Sequence, residues 1–317
     1  MRKVIIDTDT GIDDAMALLL ALAAKDLDVI AVTTVGGNIE VEKCARNALK
    51  VLEIGGRPDI PVAQGAGKPL IRPPRFAYEW HGKDGLGDIG IGPPNTRLAP
   101  TRAVDLIIDT VLNHPEPVTL IPLGPLTNIA LALSVEPSIA SNLEEIIWMG
   151  GAALVSDLTD LNLFLDPEAA KIVFHAGVPF TMVGLDVTWE VVMEANDVDA
   201  LRSAGTSVTD FLAAIIRPYW EQHKRHGWGR FGHKDPHGFN IHDAVAVAYA
   251  IAPDLFVTRE MYASVLTGDA RPSGLMYADK YGDLGMEPNI NACVQVNGKG
   301  VVNLFLGTIL ESSGHSG

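Results

Sequence analysis

The chain has 317 residues, 47% of them hydrophobic and 20% charged, which is material for a sizeable core and not the composition of a disordered chain. A formal net charge of −15 makes the average surface repel phosphate backbones and anionic bilayers, so nucleic acid and membrane are poor partners, while a small uncharged ligand or a cation suits the field. Apolar stretches such as Ala15 to Ala24 are too short to span a bilayer, and Met1-Arg2-Lys3 leads into only three apolar residues before Asp7, so a cytoplasmic protein is expected.

Val4-Ile5-Ile6 reads as a short apolar strand ending in Asp7-Thr8-Asp9, and Asp13 to Ala24 as a helix rich in Ala and Leu. Val29 to Val35 is a second strand, Val41 to Ile54 a helix and Val62-Ala63 a short strand. Pro and Gly cluster between Gly65 and Pro100, which predicts a long irregular connection of the kind that often carries function. Ala103 to Leu112 follows as a helix, then strands at Val118 to Leu123, Ile146 to Met149 and Phe180 to Val183. Val208 to His223 looks helical with a kink or break at Pro218, and His242 to Ala252 is a strong apolar helix. Strand-like pieces at Tyr262 to Leu266 and Ile290 to Val296 close the series.

Near-continuous apolar strands alternating with helices predict an α/β fold. Its doubly wound, mostly parallel sheet has helices on both faces and a small antiparallel C-terminal extension, all in one domain over residues 1–317. The two cysteines, Cys44 and Cys293, fall in apolar patterns and are expected to be buried thiols rather than a disulfide or a metal pair.

The chemistry concentrates in Asp7-Thr8-Asp9-Thr10-Gly11-Ile12-Asp13-Asp14. Four carboxylates in eight residues stand at the carboxyl end of the first strand, the edge at which open α/β sheets bind ligands. Gly11 permits a tight turn, so Asp13 and Asp14 can fold back toward Asp9. Acids so close repel one another unless a cation or protons intervene, and a hard divalent ion taking several oxygens is the natural partner. Asp13 as a helix cap and Asp14 as a first-turn acid would explain one or two of the four, not the set.

This octapeptide resembles the N-terminal signature of inosine–uridine-type nucleoside hydrolases, which usually has Pro where Thr10 stands. The resemblance continues in family order at Thr33-Thr34-Val35-Gly36-Gly37-Asn38, Gly124-Pro125-Leu126-Thr127-Asn128, Trp148-Met149-Gly150-Gly151, Asn162 through Asp166-Pro167-Glu168-Ala169-Ala170, and His242-Asp243. It implies an enzyme that splits the N-glycosidic bond of ribonucleosides to ribose and free base, with Ca²⁺ holding the attacking water and touching the ribose hydroxyls. By the same resemblance Asp9, Asp14, Asp243 and the backbone carbonyl of Leu123 are the metal ligands, and Asp13 is the general base. His242 is the donor to the leaving base, while Asn38, His81, Met149, Asp160 and Asn162 contact the substrate. A homo-oligomer, dimer or tetramer, and a role in base salvage are further implications.

The match has gaps. Family members usually present Glu-Phe-Asn where this chain has Asp160-Leu161-Asn162, one methylene shorter and without the aromatic ring. The loop after Gly151 looks short, with Asp157 where an Asn is expected. Tyr219 to His237, rich in Trp, Phe and His, is a candidate lid over the nucleobase. Two other readings remain: a non-catalytic nucleoside or ribose binder, and a haloacid dehalogenase-type phosphatase, which would want Thr or Val at the position of Gly11.

Overall fold

A computed structural model describes residues 1–154, 160–226, 238–268 and 274–313. Its strands are β1 (Arg2–Thr8), β2 (Leu27–Thr34), β3 (Val62–Gln64), β4 (Val118–Pro122), β5 (Leu143–Met149), β6 (Phe180–Val183), β7 (Val192–Glu194), β8 (Gly238–Asn240), β9 (Phe256–Val265), β10 (Met276–Asp279) and β11 (Ile290–Val296). Nine of them form one sheet in the order β10-β9-β11-β6-β5-β4-β1-β2-β3, and β7 pairs with β8 separately. Neighbours from β3 across to β11 run parallel, while β9 lies antiparallel to both β11 and β10. That is the expected doubly wound sheet with an antiparallel C-terminal edge.

Alternation along the strands divides the core. Val4 and Ile6 of β1 face one apolar cluster and Ile5 the other, and Ile147 of β5 opposes Ile146 and Trp148 in the same way. Helices Ile12–Ala23, Val41–Ile54, His242–Ile251 and Gly298–Ser313 cover the first face. Helices Ala103–Asn113, Thr127–Val135 and Pro167–Phe174 cover the second. With both faces covered, β1 has no solvent side, which is why its Val-Ile-Ile run is unbroken by polar residues.

Winding proceeds from β1 outward to β2 and β3, then returns to β4 and continues the other way to β5 and β6. The direction therefore reverses between β1 and β4. The loops after those two strands separate there and leave a crevice at their carboxyl ends. The Asp7–Asp14 and Leu123–Asn128 segments occupy it.

Three expectations need amendment. The helix expected to kink or break at Pro218 is not broken there: it continues from Ser207 to His226. Proline only withholds the N–H that Ala214 would have received, and its ring packs against Gly87, where a Cβ would collide with Pro218. The strand expected at Tyr262 to Leu266 begins six residues earlier, at Phe256, because exposed Val257, Thr258, Arg259 and Glu260 interrupt the apolar pattern of an edge region. The irregular Gly65–Pro100 stretch contains one short helix, Tyr78–His81. Cys44 and Cys293 are buried and unpaired, as expected. Asp157 and the shortened loop around it lie outside the described residues, as does the 227–237 part of the candidate lid.

Candidate active site

The crevice opens into a cavity of about 430 Å³. Its lining includes every site residue that the resemblance implied except Asp14, which is fully buried. One end, the floor, is acidic. Asp13, Asp14 and Asp243 bring carboxylate oxygens within 4.8 Å of one another, and Asp9 lines the same space. Asp13 and Asp14 stand in the first turn of Ile12–Ala23, whose N-cap is Gly11. Asp243 is in the first turn of His242–Ile251, whose cap is Ile241. Neither Asp13 nor Asp243 is therefore employed as a helix cap, whereas Asp14 closes a capping box on Gly11.

A second layer of hydrogen bonds aims these acids. Asp14 accepts from the Thr8 hydroxyl at 2.5 Å, the Gly11 N–H at 2.8 Å and the Asn38 amide at 3.0 Å. Asp9 accepts the Asn38 backbone N–H at 2.7 Å. Two glycines clasp its carboxylate: a Cβ on Gly37 would collide with Oδ2, and one on Gly124 would come to 2.7 Å from Oδ1. Asp7 belongs to the scaffold. Its Oδ1 accepts from Thr33 at 2.6 Å and Asn128 at 2.8 Å, and that Asn128 also donates to the Thr34 carbonyl, tying β1, β2 and the β4 loop together. Asp166 is likewise structural, capping Pro167–Phe174 and receiving the Thr127 hydroxyl and the Leu70 N–H.

Burying so many acids together has an electrostatic consequence. Burial first and the Asp14 charge second push Asp13 up to about 7. The same two causes hold Asp9 well above the carboxylate range, and burial followed by the Asp13 charge does so for Asp243. Among the described residues no Lys or Arg lines the cavity. The Oδ1 of Asp13 is buried and lacks a hydrogen-bond partner among the described residues. An all-oxygen set with excess negative charge and an unsatisfied carboxylate oxygen fits a hard metal cation.

The sides of the cavity carry the amides. Asn162 donates to the Leu123 carbonyl at 2.6 Å and the Met149 carbonyl at 3.1 Å, which leaves its own oxygen free of those bonds and braces β4 against β5. A carbonyl has two lone pairs, so Leu123 O retains one for another partner. Asp160 caps the short helix Leu161–Leu165 through the Leu163 N–H at 2.9 Å, and burial raises it to about 6. Its one-methylene-shorter chain is thus engaged in capping.

The wall, which borders the acids, is aromatic and rich in imidazole. His81 accepts the Ile12 N–H on Nδ1 at 3.1 Å, so the neutral ring has no proton there to give Asp13, 3.9 Å away. Burial lowers His81 to about 4, which keeps it neutral. His242 Nδ1 shares a hydrogen bond with the Thr188 hydroxyl at 2.8 Å, and burial lowers this ring to about 3. Asn240 just before it donates to the carbonyls of Thr188, Trp189 and Val191, fixing the start of the His242 helix. Tyr219, Trp80 and His223 complete the wall. The Tyr219 hydroxyl donates to Asp13 Oδ2 at 3.4 Å. Tyr219 and His223 lie on the Ser207–His226 helix within the segment read as a lid, and helical spacing of four was the signal that puts them on one face.

Fold and cavity define an α/β protein with an acidic, oxygen-lined site at the reversal point of a parallel sheet, the kind of site that could hold a metal ion. The profile of the inosine–uridine preferring nucleoside hydrolases matches residues 4–303, and the chain belongs to that family. It is an N-ribosyl hydrolase, which splits ribonucleosides into ribose and free base. A pyrimidine-specific ribonucleoside hydrolase RihA of Salmonella gallinarum is 38% identical over 305 residues, 95% of this chain and 96% of the relative. Its counterpart in Citrobacter koseri is 38% identical over the same shares. Among solved structures, a purine-preferring ribonucleoside hydrolase from Gardnerella vaginalis superposes with a TM-score of 0.91 at 29% identity, covering 98% of this chain and 99% of that one. A plant nucleoside hydrolase does so with a TM-score of 0.90 at 32% identity over the same shares. Among the described residues no helix is long and apolar enough to cross a membrane.

Proposed function

We propose that the chain, acting as one domain, hydrolyses pyrimidine ribonucleosides, with a calcium ion held by Asp9, Asp14, Asp243 and the Leu123 carbonyl and with Asp13 as general base. The observation that carries this reading is the convergence of three buried carboxylates within 4.8 Å beside a fourth, with no cationic side chain among the described lining residues. Calcium is favoured because the donors come from two loops and the first turns of two separate helices, a set with no built-in octahedral arrangement, and it tolerates such geometry better than magnesium. When bound, the cation supplies the positive charge that acidifies the attacking water and draws on the ribose hydroxyls.

Asp13 takes the proton from that water. Its Oδ1 has no competing hydrogen bond among the described residues, which leaves that oxygen free to accept the proton. Asn38 and Asn162 spend their amide N–H groups on Asp14 and on the Leu123 and Met149 carbonyls, so each offers its oxygen to a ribose hydroxyl. Asp160 and Met149 shape the sugar end of the cavity. As the bond breaks, negative charge moves to the base. His242 meets it as a neutral donor in the tautomer that carries the ring proton on Nε2, the one in which the Thr188 hydroxyl, 2.8 Å from Nδ1, donates to the ring. A ring lowered to about 3 stores no imidazolium, so the help is a hydrogen bond more than a ready-made proton.

Pyrimidine substrates are supported by the RihA relatives, whose identity to this chain exceeds that of the purine-preferring structure. A cytoplasmic place, a role in base salvage, and self-association into a dimer or tetramer complete the proposal; light scattering reads out the last. The whole is tested by turnover of uridine, cytidine, inosine and adenosine with and without chelator. Uridine or cytidine should be fastest, and chelation should abolish turnover until calcium is restored. Tight nucleoside binding without base release in calcium buffer would instead mean a non-catalytic binder.

A further inference from the structure

His223 lines the cavity wall, 4% exposed. Its Nδ1 lies 3.0 Å from the carbonyl oxygen of Tyr219, one helical turn earlier. A carbonyl oxygen only accepts, so Nδ1 carries the proton. A neutral imidazole has one N–H, and Nε2 is therefore a bare acceptor. That nitrogen is buried and has no hydrogen-bond partner among the described residues. Leaving a buried acceptor unsatisfied is destabilising, which makes it an exception that asks for a ligand. The ring is not free to turn aside. Tyr219 packs against it edge-on with centroids 4.5 Å apart, and Trp80 does so at 5.5 Å.

We propose that His223 is a specificity-determining residue whose Nε2 accepts a hydrogen bond from an N–H on the edge of the nucleobase, the N3–H of uracil in the first instance. The inference rests on the preceding assignment of the cavity to the nucleoside. The aromatic surroundings of His223 suit a planar heterocycle, whereas the floor, crowded with carboxylates, suits the sugar and the cation. Burial lowers the affinity of His223 for a second proton, so the lone pair stays available at neutral pH. His81 has the opposite polarity: its Nδ1 is occupied by the Ile12 N–H, so its proton sits on Nε2. Acceptor and donor on one wall match the adjacent N–H and C=O of a lactam, which uracil has and which methylation at N3 destroys.

The test compares kcat/KM for uridine and 3-methyluridine in the calcium-loaded wild type, His223→Phe and His223→Gln. Wild type should favour uridine by at least about 30-fold, because a site built around a hydrogen bond rejects the analogue lacking it. His223→Phe keeps the bulk and removes the lone pair. Its preference should fall to within about threefold, by loss on uridine and little change on 3-methyluridine. His223→Gln, which can accept through Oε1, should retain about tenfold or more, and melting curves confirm that both variants fold. The inference is overturned by a wild type that does not discriminate, or by His223→Phe retaining the wild-type ratio, which would make the selection steric. Failure of the cavity assignment itself looks different: Asp13→Asn would then also turn over uridine normally.

Discussion

The floor and the wall of the cavity are built on different logics. On the floor each acid is aimed by its neighbours: Thr8, Gly11 and Asn38 hold Asp14, and the Asn38 backbone with two glycines holds Asp9. On the wall, His223 and His242 are each anchored through Nδ1 and leave a buried Nε2 without a partner among the described residues. A fixed floor suits a reaction that every substrate shares. A wall with unspent hydrogen-bonding capacity suits the part of the substrate that varies. The difference implies that changes on the floor act on all nucleosides alike, and that changes on the wall act selectively.

The most severe test of that contrast is Asp13→Asn. It should lower kcat by at least about a hundredfold on every nucleoside while calcium and nucleoside still bind, the scale of a positioned general base. Near-normal turnover would remove Asp13 from the chemistry. Next, His242→Ala should reduce turnover of inosine about tenfold more than that of a riboside whose leaving group needs no proton. Equal losses on the two would move His242 from the wall's logic to the floor's.

A third expectation concerns pH. Without a cation, Asp7 is raised to about 6 and Asp13 to about 7, both chiefly by burial. A raised carboxyl binds its proton more tightly folded than unfolded. The metal-free chain therefore keeps that stabilising contribution below about pH 4 and loses it as pH rises toward 7. The proposed ligands Asp9 and Asp243 are raised in the same direction, and calcium must displace their protons, so its stabilising effect grows as pH rises. Each proton displaced per pH unit is worth about 1.4 kcal/mol, or roughly 2 °C in Tm for a chain of this size. The calcium-induced shift in Tm should thus be larger at pH 8 than at pH 5, and a shift that shrinks with pH would contradict an acidic ligand set. Smallest of all is Tyr219→Phe. Its hydroxyl reaches Asp13 at 3.4 Å, beyond good hydrogen-bond length, so kcat should fall less than about fivefold.

How much of this was legible beforehand follows the same division. The floor was readable because its acids are close in sequence: the loop after β1 and the helix turn that follows carry Asp9, Asp13 and Asp14, and sheet topology dictates that this junction after a central parallel strand faces the crevice. Asp243 needed the family resemblance, since more than 200 residues separate it from the loop it joins. The wall was far less legible. Tyr219 and His223 come from a helix whose other neighbours are ordinary, and only the fold brings that helix against His81. Pro218 is harder to read for a related reason: local propensity predicts a kink or break, but a helix can continue without one hydrogen bond when the ring packs against Gly87. The early start of β9 was hidden because its exposed half has no apolar alternation to reveal it.

The clasp around Asp9 has a bearing on how such a protein can change over generations. Gly37 and Gly124 arrive from loops after β2 and β4, and at either position even a methyl group would shove the carboxylate out of register. Mutational drift has no gentle first step there, since alanine is already the smallest departure available. Libraries aimed at new base preferences gain little from those two sites and should concentrate their diversity at Trp80, Tyr219 and His223.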